Sequence, residues 1–124
     1  MRNARRVWIV VPLLLANCAV VQEDGGRDGK RRYLEAKAAC EARFPVAMVP
    51  QSDCRAQAAN AYIRPWYRYG DLMTWVQTRR RALAVKLDRH RISKAEFDRQ
   101  IARAERDVEQ EETRRGRAAG QPSF

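Results

Sequence analysis

The sequence predicts an all-α protein: a small four-helix domain made of two αα-hairpins, one of them closed by a disulfide. Three observations lead there. From Tyr33 onward, apolar residues recur at spacings of three and four, which lines them up on one face of a helix. No segment shows the two-residue alternation of a half-buried strand. Pro45, Pro50, Pro65 and Gly70 punctuate the periodic stretches at intervals that suit short helices joined by turns.

The first residues have a different character. Arg2, Arg5 and Arg6 precede Val7 to Ala16, which carry no charge. A basic start followed by a short apolar run is the layout of an export signal. A membrane-spanning helix needs roughly 20 apolar residues. This run has about 15 even when counted through Val21, and it contains Pro12 and Asn17, so a permanent span is the weaker reading. "LANC", Leu15 to Cys18, resembles the lipobox of bacterial lipoproteins. The resemblance implies that Met1 to Asn17 are removed and that Cys18 becomes the new N-terminus, with a diacylglycerol on its sulfur. Leu15 and Ala16 match the family, whereas Asn17 replaces its usual Gly, Ala or Ser. Ala19 follows the cysteine in place of the aspartate that marks inner-membrane retention in some lipoproteins. The implied location is the outer membrane of the bacterial cell envelope, facing the periplasm. Ordinary cleavage after Cys18 is the rival reading, with Ala16 and Cys18 as the small residues at the cut. "RRVW", Arg5 to Trp8, also loosely resembles a twin-arginine export signal.

Cysteine parity favours the lipid. The chain has three cysteines. Acylation of Cys18 leaves Cys40 and Cys54 as an even pair in an oxidising compartment. The expected organisation is a signal over residues 1–17, a flexible tether over 18–30, a helical domain over 31–115 and a disordered tail over 116–124. The tether expectation rests on "QEDGGRDGK", Gln22 to Lys30, which is polar and glycine-rich.

The first helix is expected over residues 31–44, with Tyr33, Ala36, Cys40 and Phe44 on one face, and it stops before Pro45. "PVAMVP" reads as a constrained loop. Ser52 or Asp53 is a plausible N-cap for a second helix over 53–64 that carries Cys54, Ala58, Ala61 and Tyr62. Cys40 and Cys54 then lie at facing ends of consecutive helices, a placement that suits a bridge with Cα atoms within roughly 7 Å. In "RPWYRYGD", Arg64 to Asp71, aromatic rings alternate with Arg64 and Arg68. The stretch is either an interfacial patch or a turn whose Trp66 and Tyr69 fold back over the core. A third helix over 71–87 has Leu72, Trp75 or Val76, Leu83 and Leu87 as its stripe, with Arg79, Arg80 and Arg81 largely away from it. Ser93 and Glu96 form a capping box, spanned by an Ile92–Phe97 staple, and open a fourth helix over 94–115. The expected core is Tyr33, Phe44, Tyr62, Leu72, Trp75, Leu83, Leu87, Phe97 and Ile101.

Leu83, Leu87, Ile92, Ser93, Glu96 and Phe97 together resemble the short helical hairpin called the SHOCT domain. His90 stands at the family's turn glycine. The resemblance covers Leu83 to Ile101 and implies an assembly or tethering module.

Charge bounds the partners. The formal net charge is +10, and loss of the three signal arginines lowers it to +7. A basic exported domain suits an anionic lipid, lipopolysaccharide or an acidic cell-wall polymer. Arg64, Arg68, Arg79, Arg80 and Arg81 are the candidate contacts, and a protein partner is also open. A solvated basic surface that serves only solubility is the plainer alternative. No nucleic-acid partner is expected of an exported protein.

No catalytic constellation is evident. Ser52 and Ser93 read as caps, and His90 lies among arginines with no nucleophile to serve. Glu109, Glu111 and Glu112 stand beside Arg114 and Arg115, as in an ion-paired surface. The single histidine and the lack of CxxC spacing give no metal site, and no cofactor is expected. The expected function is that of a small, non-catalytic, lipid-anchored envelope protein with interaction or structural roles. The alternative is a secreted, disulfide-stapled binding module or inhibitor. A cytosolic nucleic-acid binder ranks third, because it leaves the N-terminal pattern unexplained.

Overall fold

The computed structural model describes residues 20–118, and side chains from Gly25 to Gly116. Cys18 and the expected signal lie outside the described residues. Four helices follow one another, α1 (Val20–Arg43), α2 (Met48–Tyr62), α3 (Gly70–Asp88) and α4 (Lys94–Ala118), and no strand occurs among the described residues. Each helix packs only on its neighbours in sequence: α1 on α2, α2 on α3 and α3 on α4. The short connections make neighbours antiparallel. The protein is therefore all-α, built from hairpins, as the periodicity predicts.

The first hairpin is closed by the Cys40–Cys54 disulfide, whose Cα atoms lie 5.8 Å apart. Cys40 is only 3% exposed, so the bond belongs to the interior. With a sequence separation of 14, the bridge contributes about 3 kcal/mol by restricting the unfolded chain, a large share of the stability of a small domain.

The core proper sits at the same end of the molecule. Met48 of α2, Leu83 and Ala84 of α3 and Phe97 of α4 are buried together, with Val49, Leu87, Ile92 and Ile101 packed around them. Several expected core positions are more exposed than the stripes suggest. Trp75 is 46% exposed, and Tyr33, Phe44 and Tyr62 are half-buried. Leu72, Leu83 and Phe97 are buried as expected, and small and flexible residues share the interior with them, namely Ala58, Ala84, Ala104, Met48 and Met73. Small side chains let helices approach closely, and large rings are left to cover the seams.

Three element boundaries differ from those expected. α2 starts at Met48, inside "PVAMVP", and Ser52 and Asp53 lie within the helix instead of capping it. The cap comes from elsewhere. The Asp88 carboxylate, at the end of α3, accepts hydrogen bonds from the Met48 and Val49 N–H groups at 2.9 and 2.8 Å. Pro50 has no N–H to satisfy, and the Gln51 N–H donates to the Ala47 carbonyl at 3.1 Å. The first turn of α2 thus leaves no donor unmet from Met48 onward.

α1 begins at Val20, so Gln22–Lys30 is helical where a tether was expected. Glycines disfavour a helix when nothing packs on them, but Gly29 is buried here against Tyr62 of α2 and Trp66 of the α2–α3 turn. A Cβ at Gly29 would lie 2.5 Å from Trp66 Nε1 and closer still to the Tyr62 carbonyl. Trp66 Nε1 donates to that same carbonyl at 2.7 Å. Gly29 is a close-approach residue, and the indole seals the far end of the α1–α2 pair. At the other terminus α4 runs to Ala118, slightly beyond the expected boundary, and the rest of the expected tail lies outside the described residues.

The α3–α4 turn follows its sequence closely. His90 has φ 55°, the left-handed conformation that favours glycine. The His90 N–H donates to the Leu87 carbonyl at 2.9 Å and the Arg91 N–H to that of Lys86 at 2.8 Å, the paired bonds of a Schellman turn. Ser93 Oγ accepts from the Glu96 N–H at 3.1 Å. Glu96 does not complete the reciprocal box. Its carboxylate takes hydrogen bonds from Arg99 and Gln100, and the Arg99 guanidinium holds it below the usual carboxylate range.

Two substitutions should move stability in opposite directions. Asp88→Ala strips the cap from α2 and should cost about 1 kcal/mol, seen as a lower urea midpoint with unchanged slope. His90→Gly removes left-handed strain and should raise the same midpoint by about 0.5–1 kcal/mol.

Candidate functional site

The structure disperses the arginines that the sequence marks as partner contacts. Arg64 is fixed inside the α2–α3 turn. Its Nε donates to Asn60 at 3.0 Å, its Nη1 to the Gly70 carbonyl at 3.1 Å and its Nη2 to Thr74 at 3.1 Å. With all three nitrogens engaged, its role is to staple the turn. Arg68 is exposed and lies 5.6 Å over the Tyr69 ring. The consecutive arginines of α3 fan out to three separate acceptors. Arg79 donates to Gln100 at 3.1 Å, Arg80 pairs with Glu105 at 2.8 Å and Arg81 pairs with Asp53 at 2.9 Å.

Arg80 departs furthest from its expected position on a solvated face. Its side chain is 13% exposed. Burial, followed by the nearby charge of Arg55, disfavours its protonated form. Arg55 itself is 17% exposed and reaches Glu41 at 3.5 Å. Its Nε is buried and has no hydrogen-bond partner among the described residues. Two half-buried cations therefore share one region with incomplete compensation.

That region borders an apolar concavity. A groove of about 370 Å³ is lined by Tyr33 and Leu34 of α1, Ala56 and Ala59 of α2, Met73 and Val76 of α3, and Val108 of α4, with Ile63, Trp66 and Tyr67 at the turn. Its floor has a local cause. Ser52, Ala56 and Ala59 recur at spacings of four and three, and their small side chains leave α2 bare on that face, with Ile63 just beyond the helix end. The groove lies where a closed bundle would bring α1 against α4, and these two helices do not pack on each other. Arg55 and this small-residue stripe were not singled out by sequence reasoning. The spacing was there to be read, but only the separation of α1 from α4 shows that none of the described residues fills it.

At the far edge of α4 the ion pairs are dense. Arg115 grips both oxygens of Asp71, at 2.9 and 2.8 Å, and also donates to Glu111 at 2.8 Å. Arg114 joins it on Glu111, at 2.7 and 2.5 Å. The Arg114 and Arg115 guanidiniums hold the Glu111 carboxyl down at about 2, and Arg115 holds Asp71 below the usual range. The Tyr67 hydroxyl donates to Glu112. Burial and that bond push it well above the usual phenol range. These groups latch α4 to the α2–α3 turn and are committed to one another. No cluster of histidine, cysteine or carboxylate side chains suited to a metal occurs among the described residues.

Compared with protein families, with curated proteins and with solved structures, the chain matches none.

The latch has a defined acid response. Glu111 and Asp71 both have folded-state pKa values below their unfolded ones. Their contribution is complete above the ordinary carboxylate range and disappears as pH falls through it toward about 2. Amide protection near Glu111, measured relative to the intrinsic exchange rate at each pH, should fall between pH 4.5 and 2 while protection around Phe97 changes less. Asp71→Asn should weaken that pH dependence.

Proposed function

We propose that the protein is a non-catalytic binding domain of the bacterial envelope, anchored through lipid on Cys18, with its basic helical surface turned to an anionic partner. The observation that carries this reading is the pairing of Cys40 with Cys54. It suits an oxidising compartment and leaves Cys18, directly behind the apolar run, as the one cysteine outside the pair. Acyl chains contribute about 0.8 kcal/mol per buried CH₂, so several of them hold a protein at a membrane by themselves. Among the described residues no helix is long and apolar enough to cross a membrane. In this reading, attachment rests on the lipid.

The net positive charge supports the partner class: anionic lipid, lipopolysaccharide or acidic cell-wall polymer. Arg68, Arg79 and Arg81 supply exposed positive charge for that contact, whereas Arg64 is occupied within the fold and Arg80 is mostly buried. The serial hairpins also suit the tethering role that the resemblance at Leu83 to Ile101 implies.

Metabolic labelling with a fatty-acid analogue tests the anchor. The wild-type chain should take up label and partition with membranes, and Cys18→Ser should abolish both. A soluble, unlabelled protein beginning at Ala19 would instead identify a secreted, disulfide-stapled module.

A further inference from the structure

The open side between α1 and α4 has a composition of its own. Three cationic side chains, Lys30, Arg55 and Arg80, border the groove, and among the described residues no acidic side chain lines it. The rest of the lining is apolar or neutral, with Ser52 and Gln77 the small polar exceptions. A pocket of about 370 Å³ lies within the range of small-molecule sites, about 300–1,000 Å³, which combine an apolar lining with a few placed polar groups. A helix about 10–12 Å across finds little room in that volume, whereas a single hydrocarbon chain fits.

The cations call for an anion at one place. Arg55 and Arg80 are both mostly shielded from water, at 17% and 13% exposed. Glu105, which pairs with Arg80, is 57% exposed, and Glu41, which pairs loosely with Arg55, is 47% exposed. The carboxylates thus sit toward solvent while the guanidiniums sit inward, and the buried Arg55 Nε has no acceptor among the described residues. A desolvated donor without an acceptor is costly, and a planar carboxylate matches the guanidinium fork.

We propose that the groove binds a single-chain anionic amphiphile of the long-chain fatty-acid class, its chain along Ala56, Ala59, Ile63 and Val76 and its carboxylate between Arg55 and Arg80. The charge complementarity and the open fourth side carry this assignment, and it stands independently of how the chain is anchored. The bound chain supplies the apolar contact that α1 and α4 do not make with each other. The headgroup relieves the repulsion between the two arginines.

The full chain with Cys18→Ser carries no acyl group at that position, so it tests the groove separately from the anchor. Titration calorimetry compares dodecanoate with dodecyltrimethylammonium, an amphiphile of equal chain length and opposite charge, both below the concentration at which they self-associate. Dodecanoate should saturate one site per chain and bind at least about tenfold more tightly than the cation, the worth of one charge-assisted hydrogen bond. Arg55→Gln should erase most of that preference. Ala59→Phe should fill the floor and abolish binding with the helix content unchanged, and Arg99→Gln, exposed on α4 and outside the groove, should leave binding intact. Equal affinity for the two amphiphiles, or no saturable binding of dodecanoate, overturns the proposal even if both groove variants fail to fold. A stable dimer in sedimentation that excludes dodecanoate also overturns it and assigns the groove to a second copy of the chain.

Discussion

The two central helices meet through the carboxylate of Asp88. It ends α3 and begins α2, because the Met48 and Val49 N–H groups that open α2 have no acceptor within their own helix. A carboxylate at the end of its own helix faces an unfavourable dipole, and at the start of another helix a favourable one. Asp88 occupies both positions, and its contact with the start of α2 offsets its unfavourable place at the end of α3. That contact sets where α2 starts, which brings Cys54 opposite Cys40 and Met48 beside Leu83 and Phe97. Core, disulfide and cap consequently share one end of the molecule.

The other end is organised differently. α1 is held there by Gly29 against Trp66 and Tyr62, and α4 by the latch of Arg115, Asp71 and Glu111. These two attachments act on opposite flanks of the α2–α3 pair. Among the described residues nothing draws α1 and α4 together across it, and the small side chains of Ala56 and Ala59 leave the floor between them low. An apolar groove is the direct consequence of a four-helix chain that packs in series. In such an arrangement each outer helix buries one flank only, and the remaining apolar surface stays open to a ligand.

Charge serves two purposes in this fold. Most surface pairs, such as Arg31 with Asp28 or Lys94 with Asp98, are exposed and of small individual worth. A few arginines are structural: Arg64 staples a turn, and Arg115 joins α4 to α3 while lying over the Tyr69 ring. Arg55 and Arg80 belong to neither group, because their guanidiniums are shielded and under-compensated. Counting basic residues in the sequence gives the overall attraction to anions, but it does not separate these roles. The distinction depends on how far each side chain is removed from water and on which carboxylates reach it.

Local chemistry was enough to determine much of this protein. Apolar spacing specified four helices, parity and position paired Cys40 with Cys54, and the run from His90 to Phe97 specified its turn, its Ser93 cap and its staple. Each of these depends on residues close in the chain, or on a loop short enough that its ends meet. The start of α2, the helical state of Gln22–Lys30, the burial of Arg80 and the groove depended on residues from other helices. Asp88 caps from α3, Trp66 turns Gly29 from a breaker into a contact, and the separation of α1 from α4 leaves the small-residue face of α2 uncovered. A helix face carries the same spacing whether it is buried, exposed or lining a groove, and only the placement of its neighbours decides which.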